Sequence, residues 1–114
     1  MTTTEKNAVI ARFMGITEII ETNGIVYKDP NSELFYEIKY HSDWNWIMNC
    51  VEKIENLSYN EDQFYNVIIG YGLECTIQGG KVNICEAGTT KLEAVYLAVY
   101  YFALWHNQSR KRVK

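Results

Sequence analysis

A chain of 114 residues with 47% hydrophobic and 14% aromatic side chains can bury one core without disulfide or metal staples, and is too apolar for a disordered tail protein. A net charge of −3 does not announce a nucleic-acid binder. The three cysteines, odd in number and widely spaced, fit a reducing cytoplasm rather than a disulfide framework.

At the N-terminus, Met1–Glu5 lacks the basic start and apolar run of a signal peptide. Without secretion the triplets at Asn56 and Asn107 are not read as glycosylation sites. The first helix is expected from Glu5 to Met14, with Thr2 and Glu5 spaced as a capping box and Gly15 closing the C-terminus. Val9, Ile10, Phe13 and Met14 form its apolar stripe. Ile16–Glu21 and Ile25–Lys28 flank Asn23-Gly24, a strong hairpin signal. Asp29–Ser32 reads as a turn, and the alternation over Glu33–Tyr40 as a further strand.

A second helix is expected over Asp43–Leu57 with Ser42 as its N-cap. Residues 58–62 read as a polar loop. Val67 to Ile77 alternates as one long strand, and Gly79-Gly80 turns it into Val82–Cys85 as a second hairpin. The last helix is expected from Thr90 to Asn107, opening on the capping box Thr90/Glu93. It has two apolar faces, Leu92, Val95, Tyr96, Val99, Phe102 and Ala103 on one and Ala94, Ala98, Tyr101 and Trp105 nearly opposite. A helix of that kind lies between layers or within an oligomer. No segment reaches the roughly eighteen uninterrupted apolar residues of a membrane span. The expected architecture is a single α/β (α+β) domain over 1–109, a layered sandwich of a mainly antiparallel sheet with helices.

The end of the chain differs in charge. Arg110, Lys111, Arg112 and Lys114 hold four of the eleven cations, which leaves seven positive against fourteen negative charges on residues 1–109. Such a tail can contact an anionic surface. At a chain end it is expected to be solvated and frayed over 110–114, and nucleic acid is not an expected partner.

The segments Ile10–Gly15, Tyr40–Met48, Val51–Glu55 and Glu93–Tyr96, in this order, resemble a family of small phage and prophage proteins known as the phage α/β/α sandwich domain, which has no assigned activity. The central block with its paired tryptophans is the specific part. The resemblance implies a layered sandwich and a mobile-element origin in bacteria, and supplies no catalytic residues. Asn45 stands where family members tend to carry an acid, and Asn49 where many have proline. An acid at the third helical position would complete a capping box, so its replacement weakens the cap by about 1 kcal/mol at most.

Within the central block, helical phase places Trp44 with Ile47, Met48, Val51 and Ile54 in the core stripe. Trp46 falls on the other side with Cys50 and Leu57. Trp46 is therefore the candidate binding residue, able to stack on a base or a partner side chain, with His41 and Cys50 as neighbours. Its alternative is packing on a nearby strand or loop. His41 beside Asp43 has the outline of a base and its orienter, but no nucleophile accompanies it and a junction residue is the simpler reading. His106 suits the C-terminal end of the last helix.

The cysteine spacings contain no C-x-x-C, and the expected register, Cys75 opposite Ile84 and Cys85 opposite Glu74, puts the two thiols on different faces, so no metal is expected. Gly70-Tyr71-Gly72 starts like a dinucleotide fingerprint but lacks the third glycine and the following helix; a bulge or a close approach of the last helix explains it better. Acidic pairs such as Glu52/Glu55 read as solvated surface.

These features favour a non-enzymatic, cofactor-free binding module of the bacterial cytoplasm that engages a host or phage protein. The alternative is a small-ligand or nucleotide binder that sequesters a host signal. A homo-oligomer is expected, with Ala98, Tyr101 and Trp105 at its interface.

Overall fold

The structure, a computed structural model, describes residues 2–16, 19–21, 25–28, 35–70 and 72–112, with backbone alone at 19–21, 25–28, 35–36 and 110–112. The described elements run α1 (Thr3–Phe13), β1 (Ile19–Glu21), β2 (Ile25–Lys28), β3 (Phe35–Glu37), α2 (Trp44–Glu55), β4 (Ser58–Asn60), β5 (Gln63–Phe64), β6 (Asn66–Ile69), β7 (Glu74–Gly79), β8 (Val82–Ala87) and α3 (Lys91–Arg112). The strands form three antiparallel sheets, β1-β2-β3, β4-β5 and β6-β7-β8. This is the α+β layered architecture expected. No helix among the described residues is long and apolar enough to cross a membrane.

The ends of α1 follow from its sequence. The Thr2 hydroxyl accepts from the Glu5 backbone N–H at 3.1 Å, and the Glu5 carboxylate accepts from the Thr2 N–H at 3.2 Å, a complete capping box. At the other end Gly15 takes a φ of 87°. Its N–H donates to the Arg12 carbonyl and that of Ile16 to the Ala11 carbonyl, at 3.1 and 2.9 Å, the Schellman pattern. Lys53 of α2 adds a third tie, donating to the Phe13 carbonyl with its ammonium 4.7 Å from the centre of the Phe13 ring. A cation at that position also suits the negative end of α1.

In the first sheet Ile19 faces Tyr27 and Glu21 faces Ile25. The Asn23-Gly24 turn between them and the turn over Asp29–Ser32 lie outside the described residues. The expected strand over 33–40 is shorter, Phe35–Glu37, and the chain then bends at 40–42 into α2.

Three expectations for the second half are corrected. The single strand over Val67–Ile77 is two strands, β6 and β7, which pair Val67 with Ile77 and Ile69 with Cys75. Between Ile69 and Glu74 the chain reverses, with Gly72 at a φ of 71° and the Gly70 N–H donating to the Glu74 carbonyl at 3.1 Å. Gly72 permits the reversal, because a positive φ is nearly free only for glycine. The loop at 58–62 is a small hairpin of β4 and β5.

The β7–β8 turn is Gly80-Lys81, not Gly79-Gly80: Gly79 pairs with Val82 and Thr76 with Cys85. Gly80 supplies the positive φ, 54°, that a II′-type turn needs at its first central residue. Gly79 instead lies flat under Tyr65, where a Cβ would come within 2.5 Å of the ring. Moving the turn by one residue shifts the register by two and leaves Cys75 opposite Glu86, so the two thiols still point to opposite faces, Cys75 buried and Cys85 exposed.

The core lies around α3. Ala94, Val95, Tyr96, Ala98, Val99, Tyr100, Phe102 and Ala103 are all buried, sweeping about 240° of the helix at roughly 100° per residue. One flank packs on α1: Phe102 and His106 meet the Phe13 ring at 5.7 and 5.2 Å, and the Asn107 side chain donates to the Val9 carbonyl at 3.2 Å. The other packs on β7 and β8, and α2 contributes Ile47, Cys50, Val51 and Ile54 to the same core. The first apolar face of α3 is therefore covered within the chain, and of the second Ala94 and Ala98 are covered while Tyr101 and Trp105 are exposed. The helix continues to Arg112, so residues 110–112, expected to fray, are helical.

Candidate functional site

Two surface features could carry function, and each is positioned by α3. The first is a polar cleft where the opening turns of α1 and α3 meet the bend before α2. Thr3, Lys6, His41, Thr90, Glu93, Tyr96 and Leu97 line a volume of about 450 Å³. Its wall is held by Asn7, 1% exposed and the one buried polar or charged side chain among the described residues. The Asn7 amide lies 3.0 Å from His41 Nδ1, and the Tyr96 hydroxyl donates to Asn7 Oδ1 at 3.0 Å, with the Thr3 carbonyl 3.4 Å away. Burial, and then the neighbouring Tyr100, raise the Tyr96 phenol well above its ordinary value, so that hydroxyl keeps its proton.

The first turn of α3 closes another side. Thr90 Oγ1 accepts from the Glu93 N–H at 3.0 Å, as its capping role requires. The Glu93 carboxylate reaches one residue further back than expected, accepting from both the N–H and the hydroxyl of Thr89 at 3.1 Å. Lys6 stands 5.7 Å from the centre of the Tyr100 ring.

The second feature is a row of exposed aromatics. Tyr101 (42% exposed) and Trp105 (39%) stand one turn apart on α3. Tyr65, buried, joins Trp105 to Tyr59 on β4, with ring centres 6.2 and 5.0 Å apart, and Tyr59 is 38% exposed. Exposed aromatic side chains near one another, each backed by a buried tyrosine, match the enrichment of Tyr and Trp at protein-contact surfaces.

Of the three expected binding residues, only His41 is at the surface of a cleft. Trp46 is half-buried with the Tyr40 ring edge-on at 5.1 Å. Its partner Trp44, expected in the core, is the exposed one at 41%, and Met48 is exposed with it. Cys50 is fully buried, its thiol pushed up to about 12 by that burial and directed to the Trp46 carbonyl at 3.6 Å, so it lines no surface.

The N-cap of α2 is Asp43, accepting from the Asn45 N–H at 2.8 Å, rather than Ser42. Asp43 therefore serves the helix and not His41. Of the expected interface residues Tyr101 and Trp105 are exposed, but Ala98 is fully buried in the core around α3.

No family model, curated protein or solved structure matches this chain. Asn7 and Tyr96 were not singled out in the sequence, although a signal existed. Asn7 falls in phase with Ile10, Ala11 and Met14, a polar residue inside an apolar stripe, and such a residue needs a partner. Among the described residues no group of three His, Cys, Asp or Glu side chains could hold a metal ion.

Proposed function

We propose that this protein is a non-enzymatic binding domain of the phage α/β/α sandwich type, working in the bacterial cytoplasm. Its contact surface for a host or phage protein is the aromatic row of Tyr59, Trp105 and Tyr101. The observation that carries this reading is the exposure of Tyr101 and Trp105 on a helix whose other apolar residues are packed within the chain. Trp105 packs partly on Tyr65 and Phe102, and covering the fraction of each ring that stays in water is worth on the order of 1 kcal/mol to a partner. The family resemblance of the Tyr40–Met48 block supports the phage origin. A stacking role for Trp46 toward a nucleotide draws no support from the packing, since Tyr40 lies against its ring.

The test places a photo-crosslinking amino acid at position 101 and, as a control, at exposed Asn83 on β8. Irradiation of bacterial cells making each variant should give a discrete adduct from position 101 and none from 83. An adduct of twice the chain mass identifies the homo-oligomer as the partner, and a heavier or lighter one a different protein. No adduct from position 101, or the same adducts from both positions, would overturn the assignment of this surface.

A further inference from the structure

We propose that the cleft between α1, α3 and the bend before α2 is a binding site for a small ligand bearing an anionic oxygen group, a carboxylate or a phosphoryl. The inference rests on how the buried amide of Asn7 determines what His41 can offer. Asn7 Oδ1 takes the Tyr96 hydroxyl proton at 3.0 Å, so the other end of the amide, its NH₂, is a donor and nothing else. That NH₂ lies 3.0 Å from His41 Nδ1, which must then accept. In the neutral ring the proton therefore sits on Nε2. Since Nδ1 is engaged by Asn7, Nε2–H is the ring nitrogen left to meet a ligand, and it is a donor.

Two other lining groups are donors as well. Lys6 carries an ammonium. Thr90 Oγ1 already accepts from the Glu93 N–H, leaving its hydroxyl proton to donate. The carboxylate among the lining residues, Glu93, is drawn back by two hydrogen bonds to Thr89. The cleft thus brings together three donors, His41 Nε2–H, the Lys6 ammonium and the Thr90 hydroxyl, beside the acceptor oxygen of Tyr96, and Leu97 adds an apolar wall. A volume of about 450 Å³ suits a small molecule rather than a chain segment.

The same hydrogen bonds also tie α1 to α3, and a purely structural role would leave the cleft indifferent to ligands. Two-dimensional NMR of the full chain distinguishes the two. Inorganic phosphate and, separately, acetate are titrated in while sodium chloride holds ionic strength constant. Saturable shifts are expected at residues 3–7, 41 and 90–97, and long-range nitrogen–proton spectra should show His41 as the Nε2–H tautomer. His41→Ala and Lys6→Gln should each weaken binding at least tenfold, Lys6→Gln with an unchanged melting temperature and His41→Ala with a lowered one, because it strips the buried Asn7 amide of a partner. His41→Gln, which restores an N–H donor, should recover part of it. Saturation by one probe alone supports the site and names the group it takes. Shifts that never saturate with either probe, an Nδ1–H tautomer, or full affinity in His41→Ala would each overturn the proposal.

Discussion

Asn7 and Cys50 show how burial gives a polar or titratable residue its behaviour. Asn7 loses all contact with water and keeps its hydrogen bonds through Tyr96 and His41, so the cost of burying an amide is offset. Cys50 and Cys75 have no such compensation for a charged form. Burial raises their thiols from 9.0 to about 12 and about 11. The unfolded chain releases these protons from about pH 9 upward while the folded chain holds them. The stability they contribute is therefore complete below pH 9 and is lost as pH rises through 11 to 12. Thermal melting between pH 8 and 11 should show a falling midpoint above pH 9. In the same samples at pH 8 a thiol reagent should modify Cys85 at once and the two buried cysteines only on unfolding.

At the scale of the element, α2 explains why its tryptophans exchange roles. Its buried stripe is Ile47, Cys50, Val51 and Ile54, not the Ile47, Met48, Val51 and Ile54 that side-chain size suggests. Measured from the centre of that stripe, Trp44 lies about 70° to one side and Trp46 about 90° to the other, so phase alone barely separates them. The deciding contact comes from outside the helix, where Tyr40 at the preceding bend offers its ring to Trp46. Trp46→Ala should therefore cost about 2 kcal/mol, less than the 3–5 of a fully buried tryptophan, and Trp44→Ala under about 1 kcal/mol. Urea titration of the two variants would show the difference, and a larger loss for Trp44→Ala would reverse the assignment. The caps of α1 were fully legible, because Thr2, Glu5 and Gly15 act within one turn of their own backbone. The cap of α2 was not: Ser42 and Asp43 are both good N-caps, and where the bend ends decides between them.

At the scale of the molecule, α3 is the element on which the others are assembled, and its contacts depend on close approach. Gly88 sits where β8 returns to the helix, and a Cβ there would come within 2.8 Å of the Ala94 backbone nitrogen. A backbone atom in a first helical turn cannot swing aside, so Gly88→Ala should destabilise the fold by about 1–3 kcal/mol. Equilibrium unfolding would measure it, and a neutral result would mean that the sheet is free to shift on α3. The covering of α3 within one chain, apart from Tyr101 and Trp105, also alters what these two rings imply. The two-faced pattern expresses a central helix, and only the two exposed rings at its border argue for a partner.

The elements with local causes were determined by the sequence itself: the three helices, the glycine-closed end of α1, and the antiparallel pairing around short turns. So was the separation of Cys75 from Cys85, which survives the register difference because moving the turn by one residue shifts the partners by two and preserves the face each thiol points to. Tertiary structure alone decided that Val67–Ile77 folds back on itself, that Trp46 rather than Trp44 is packed, and that Ala98 is interior while Tyr101 is not. It also decided that residues as distant in the chain as Asn7, His41 and Tyr96 share one chain of hydrogen bonds. Propensity and periodicity report a residue's relation to its own helix or strand. Which of two nearly equivalent faces is covered depends on what another element brings to it, and no local pattern carries that information.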